Sequence, residues 1–271
     1  KGGFRMSVIY SMISLVVLAS SIVFLWLMRH HPKINSWLIF GIAVFLLVYK
    51  SCEYSYYAIT HTGYSPVEFS HLSYLIFGAV FTFGFAKIGL FGAFVALLSG
   101  FGFLVGAIVS PSFMADDLYL VIAGYISHTL LFIGGGLALF DHKYYSWKQI
   151  YGTYIGLFSM LMYGVLIYTG LLYHLDDPVG SSNFIKMITG EFMVGVFGEG
   201  ISVFGKCIGA IALVSLIMAA VPVILCMNNL IVPCHVKYFE KHNDVYEPVL
   251  HGILPYFDKV MDRREERKNN V

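Results

Sequence analysis

The sequence predicts an all-α polytopic membrane protein of seven transmembrane helices, with the N-terminus outside and the C-terminus in the cytoplasm. Three observations predict it. Hydrophobic residues make up 58% of the 271 residues and charged residues only 12%, for a mean hydropathy of +0.75. Seven apolar stretches each approach or exceed the roughly 20 residues that a helix needs to cross a bilayer. Lys and Arg gather on one side of those stretches. Backbone N–H and C=O groups find no water partner in lipid, so such stretches must be helical.

The elements follow in order. Span one covers about 7–28. Its apolar run is longer than a secretory h-region and lacks a small-residue cleavage site, so it reads as a retained helix. Lys1-Gly2-Gly3-Phe4-Arg5 precede Met6 and read as an added leader or the remnant of a longer chain. Span two covers about 36–59, span three 69–87, span four 89–110, span five 118–140 and span six 150–174. The loop after span six opens with a turn-rich run, Asp176-Asp177-Pro178-Val179-Gly180-Ser181-Ser182-Asn183. From Phe184 to Met227 the chain is again apolar, too long for one ordinary span. It divides into an interfacial or re-entrant helix at about 184–199 and span seven at about 201–227. Residues 1–231 thus form one membrane domain. Residues 232–271 form a cytoplasmic tail whose mixed charges, ending Arg263-Arg264-Glu265-Glu266-Arg267-Lys268, suit a surface helix.

Orientation rests on the basic residues. Arg29, Lys33, Lys87, Lys143, Lys148 and seven in the tail share one side. Lys1, Arg5 and Lys186 share the other, and Lys50 and Lys206 lie inside spans. The positive-inside rule places the richer side in the cytoplasm. A net charge of +1 offers no basic field for nucleic acid. The partners expected are membrane lipids and other membrane subunits. Cys52, Cys207, Cys226 and Cys234 show no metal spacing and read as isolated thiols. Gly102 with Gly106, Gly205 with Gly209, and Gly134-Gly135-Gly136 read as sites of close helix approach.

Ionisable groups at membrane depth need a reason. Lys50 and Glu53 lie three apart and can pair on one helix face. Glu53, His61, Glu68 and His71 surround the hairpin between spans two and three. Tyr74 belongs to the same leaflet, and Ser127 and His128 lie mid-span in span five. A hydroxyl becomes a useful nucleophile beside a base such as His, so Ser73 with His128 forms a candidate catalytic pair. His71 and Ser73, two apart, face different sides of a regular helix. No two His share a helix at ligand spacing, so no metal or other cofactor is expected.

The order Pro66…His71-Leu72-Ser73, Gly106-Ala107-Ile108-Val109-Ser110-Pro111, Ser127-His128, Trp147-Lys148 and Tyr173…Pro178…Ser181 resembles the bacterial YwaF-like integral membrane family. Its eukaryotic relatives include a transmembrane acyltransferase of ether phospholipids and, more distantly, androgen-induced lipid hydrolases. The resemblance covers about residues 36–190 and implies a bacterial plasma-membrane protein acting on lipid acyl chains. It implies Ser73 at the position of the family's acyl-carrying Cys and His128 at that of its His. Ser is a poorer nucleophile than a thiolate, and the family's Asn-Tyr pair at the end of span six is Gly170-Leu171 here. Three readings stand open: acyl transfer or hydrolysis through Ser73 and His128, a non-enzymatic membrane subunit or scaffold, and a transporter or proton pathway through Lys50, Glu53, His71 and His128.

Overall fold

The computed structural model describes residues 2–60, 68–109, 118–142, 145–171, 182–241, 252, 253 and 255. His61, Pro66, Pro111, Asp116, Asp117, Lys143, Tyr173, His174, Pro178, Ser181 and most of the tail lie outside them. The described residues are helical without strands. The helices are α1 (Gly2–Met28), α2 (Pro32–Thr60), α3 (Phe69–Phe83), α4 (Gly89–Val109), α5 (Leu118–Leu137), α6 (Lys148–Tyr168), α7 (Asn183–Thr189), α8 (Phe192–Phe197) and α9 (Val203–Lys241). A 3-10 turn at Ala86–Ile88 leads into α4, and a π turn at Ala138–His142 follows α5. Six of these helices, α1, α2, α4, α5, α6 and α9, are long and apolar enough to cross a membrane. The chain is a multi-pass helical membrane protein.

Three elements differ from the sequence reading. The third apolar stretch, expected over 69–87, is helical only to Phe83. Gly84 takes a left-handed conformation at φ 77° and closes the helix by donating its N–H to Val80 O. A side chain there would also meet the ring of Pro255, 2.7 Å from its Cβ position. Fifteen residues rise about 22 Å, short of a hydrocarbon core of about 30 Å. The last helix, expected to end at 227, instead runs 39 residues to Lys241, through Pro222 and Pro233. The polar pair Asn228-Asn229 suggests an end, but Asn228 is buried and partnered. Its side-chain amide donates to Leu139 O, and its Oδ1 accepts the N–H of Tyr145 at 3.2 Å. The helix thereby clamps the turn between α5 and α6. The expected interfacial helix at 184–199 is two short helices, α7 and α8, broken at Gly190, whose φ is 76°.

The core forms where α4 meets α5, with α1, α2, α3 and α6 around them. Phe77, Leu46, Leu90, Leu131 and Leu137 are fully buried there. A second cluster joins Phe91, Phe94 and Val95 of α4 to Leu157 and Met160 of α6 and Val221 of α9. Helices α4 and α5 meet backbone to backbone at Gly100 and Gly135. A Cβ on Gly100 would come within 2.5 Å of His128 O and Phe132 N, and one on Gly135 within 2.5 Å of Leu97 N. Gly102 is not part of that contact. Nothing lies within 4 Å of its Cβ position.

Candidate functional site: a membrane-embedded apolar cavity

Helix α9 packs on the π turn, α6, α7 and α8 and meets α4 at Val221, in the cluster with Phe91, Phe94 and Val95. The space left between them is a cavity of about 770 Å³, within the roughly 300–1,000 Å³ range of ligand sites. Its walls are apolar: Leu98 and Phe103 of α4, Leu157, Met160 and Leu161 of α6, Phe184 and Met187 of α7, and Leu213, Val214, Leu216, Ile217, Met218 and Ala220 of α9. Gly102 and Gly106, expected at a helix contact, form part of the wall. Leu216 lines the cavity and is 67% exposed, so the space reaches the surface along α9.

Few polar groups face it. At the α3 end are Glu68, Ser70 and Asn183. Deeper are Ser99 and His128. Glu68 also holds the cap of the cavity. Its two carboxylate oxygens accept the N–H groups of Asn183 at 2.8 Å and Phe184 at 3.2 Å, at the start of α7. Desolvation by burial raises the Glu68 pKa above its ordinary 4.5. Those two hydrogen bonds, Ser182 and the charge of Lys186 oppose the shift without cancelling it. The far end of the cap is tied by Glu191, whose carboxylate takes Lys206 of α9 at 2.8 and 3.0 Å.

The structure brings some of the sequence-predicted residues together. Lys50 Nζ lies 2.6 Å from Glu53 Oε2, and Tyr49 donates to Glu53 Oε1 at 3.2 Å. Lys50 Nζ also sits 4.9 Å from the centre of the Tyr74 ring, and Tyr74 lies 5.4 Å from the His128 ring. His128 stacks on Phe103 at 3.9 Å. Ser127 is fully buried beside it in sequence, and the His71 ring lies 5.1 Å from that of Tyr54.

Ser73 is not brought to His128. Its hydroxyl donates to Phe69 O, one turn back, at 2.8 Å, and it does not line the cavity. Serine in a helix commonly takes this bond to the i−4 carbonyl. Neither residue hydrogen-bonds the other. Among the described residues no group of three or more His, Cys, Asp or Glu could hold a metal ion. The four cysteines are free and exposed.

No protein-family model, curated protein or solved structure matches the chain. Ser99 and Gly100 escaped the sequence reading. The available signal was a Ser-Gly step inside an otherwise apolar span, uninformative until the register of α4 against α5 is known.

Proposed function

We propose that this protein takes the apolar chain of a membrane lipid into the cavity between α4, α6, α7 and α9. The observation that carries the reading is the cavity itself. It is lipid-facing at α9, walled by aliphatic and aromatic side chains, and supplied with few polar groups, all from named positions. A chain entering from the bilayer exchanges one apolar surrounding for another, so its fit depends on packing against these walls and not on exclusion of water. The resemblance to the YwaF-like family supports a bacterial plasma-membrane setting and action on lipid acyl chains. In that reading His128, on the cavity wall, is the base. Ser73 serves as nucleophile only after its hydroxyl leaves Phe69 O and turns toward His128.

The same proposal includes topology. Seven crossings require α3 to act as a short span, its ends reaching the interfaces through local thinning of the bilayer. The split of Lys and Arg supports an external N-terminus. In a cysteine-free background, a cysteine at Ser146 should then label only from the cytoplasm and one at Gly200 only from outside. The reverse pattern would overturn the orientation.

The cavity is tested by Gly102→Phe. The new ring enters open space and should exclude the lipid without disturbing the helix contact at Gly100. Mass spectrometry of lipid co-purified in mild detergent should show a bound species lost in the variant. Equal lipid content in both proteins would sink the proposal. A second reading, a proton pathway, is favoured by the contiguous run Lys50, Tyr74 and His128. It requires proton flux in proteoliposomes that His128→Leu abolishes.

A further inference from the structure

Three helices repeat one arrangement at the same end of the bundle: an exposed aromatic ring with a cation about one turn further out. At the end of α1 it is Trp26 and Arg29, on α2 Trp37 and Lys33, and on α9 Tyr238 and Lys241. The three rings are 60%, 61% and 40% exposed. Helices α1 and α9 run toward this end and α2 runs away from it. The ring precedes the cation on α1 and α9 and follows it on α2, so each cation lies outside its ring. Three or four helical residues rise about 4.5–6 Å. Exposed Trp and Tyr mark the interface of a bilayer, which sets the cations among the lipid headgroups.

Packing gathers the three. Asn35 closes the turn between α1 and α2 by donating to Met28 O at 2.8 Å. His235 Nδ1 of α9 lies 2.5 Å from Arg29 O, and the Tyr238 ring stacks on His30 at 3.8 Å. Tyr238 and Lys241 share a face of α9, and Lys33 and Trp37 share a face of α2. Arg29 is oriented in advance. Its guanidinium lies 3.9 Å from the centre of the Trp26 ring, and its Nε donates to His30 Nε2 at 2.9 Å. Two terminal nitrogens remain, with four N–H groups. Among the described residues none of the three cations pairs with a carboxylate, and Glu240, next to Lys241, bridges none of them.

The chemistry of the partner follows. Gathered cations without a counter-charge favour an anion, and a guanidinium fork matches phosphate oxygens. The surroundings favour a lipid as its source. Exposed Leu27, Ile34 and Leu230 lie beside and below the rings, a surface that acyl chains cover and a soluble anion does not.

We infer that the α1–α2 turn and the end of α9 bind the headgroup of an anionic phospholipid, with Arg29, Lys33 and Lys241 as its cationic contacts. None of these residues lines the cavity, so the site is independent of the lipid-chain reading. It is tested on the full chain in bilayers by tryptophan quenching. The chain has three tryptophans, and Trp147→Phe leaves Trp26 and Trp37 as reporters. The probes are brominated phosphatidylglycerol and brominated phosphatidylcholine. A Lys or Arg near an anionic surface contributes about fivefold in affinity. The anionic lipid should therefore be preferred by more than about tenfold, several-fold less in Lys33→Gln with Lys241→Gln, and not at all once Arg29→Gln is added. The double variant should fold, because both lysines are exposed. Arg263→Gln with Arg264→Gln, in the tail, should leave the preference unchanged. Equal quenching by the two lipids in the native protein, or a preference that survives the triple variant or is lost with the tail substitutions, would overturn the inference. So would displacement by inorganic phosphate at matched ionic strength, which would make this a site for a free anion.

Discussion

Removing the carboxylate of Glu53 tests the charge balance inside the bundle. Glu53→Gln keeps the size of the side chain and an oxygen for Tyr49 to donate to. It strands Lys50, whose side chain is only 8% exposed, beside a partner 12% exposed. Breaking a buried pair from one side typically loses about 3–5 kcal/mol, because the remaining charge stays buried. The rings of Tyr49 and Tyr74, 4.7 and 4.9 Å from Nζ, still attract the ammonium. Each such contact is worth about 0.5–1 kcal/mol, about 1–2 kcal/mol together, so a net loss of about 1–4 kcal/mol is expected. The double change Lys50→Met with Glu53→Leu removes both charges at similar volume and should be close to neutral. At roughly 2–4 °C per kcal/mol, the single variant should melt about 2–16 °C below the double in the same detergent. Equal melting temperatures would refute the argument that these residues stabilise one another's burial.

The helix contact predicts an asymmetry between neighbouring glycines. Gly100→Ala drives a methyl into His128 O and Phe132 N and should destabilise by about 1–3 kcal/mol, whereas Gly102→Ala enters open space and should gain up to about 1 kcal/mol of helix propensity; thermal melts in which the two shift alike would contradict the register of α4 against α5. Glu68 predicts a pH dependence. Its pKa is raised on folding, so its contribution is most stabilising below its ordinary 4.5 and is lost as pH rises through the raised value. The melting temperature of the native protein minus that of Glu68→Gln should therefore fall as pH is raised from 4 toward neutrality, and a flat difference would show that the carboxyl is not desolvated against α7.

Several features were legible in the residues alone. The apolar runs located α1, α2, α4, α5 and α6 because a chain in lipid has no alternative to helix. The three-residue spacing of Lys50 and Glu53 already placed them within reach, since a helix turn fixes that geometry without help from the rest of the fold. The position of His128 at mid-span marked it as a polar group in need of a reason. Other features were not legible. Ser73 and His128 form a candidate pair in the sequence because a hydroxyl needs a base to become a nucleophile. Local helix chemistry gave Ser73 a nearer acceptor in Phe69 O, and chain order carries no information about which way a hydroxyl turns.

What the sequence determined by itself was therefore what depends on short range: that the chain is helical and membrane-embedded, roughly where its long helices begin, and which charges share a helix face. What only the tertiary structure decided depends on one helix set against another. The left-handed turn at Gly84 shortened α3, and burial of Asn228 against the turn after α5 carried α9 on to Lys241. The backbone contact at Gly100 set α4 against α5 at His128, and the packing of α9 on α6 and α7 left the cavity that His128 lines. A hydrophobic pattern records which residues avoid water. In a membrane protein nearly every face does so, and the pattern cannot say which faces meet each other and which meet lipid.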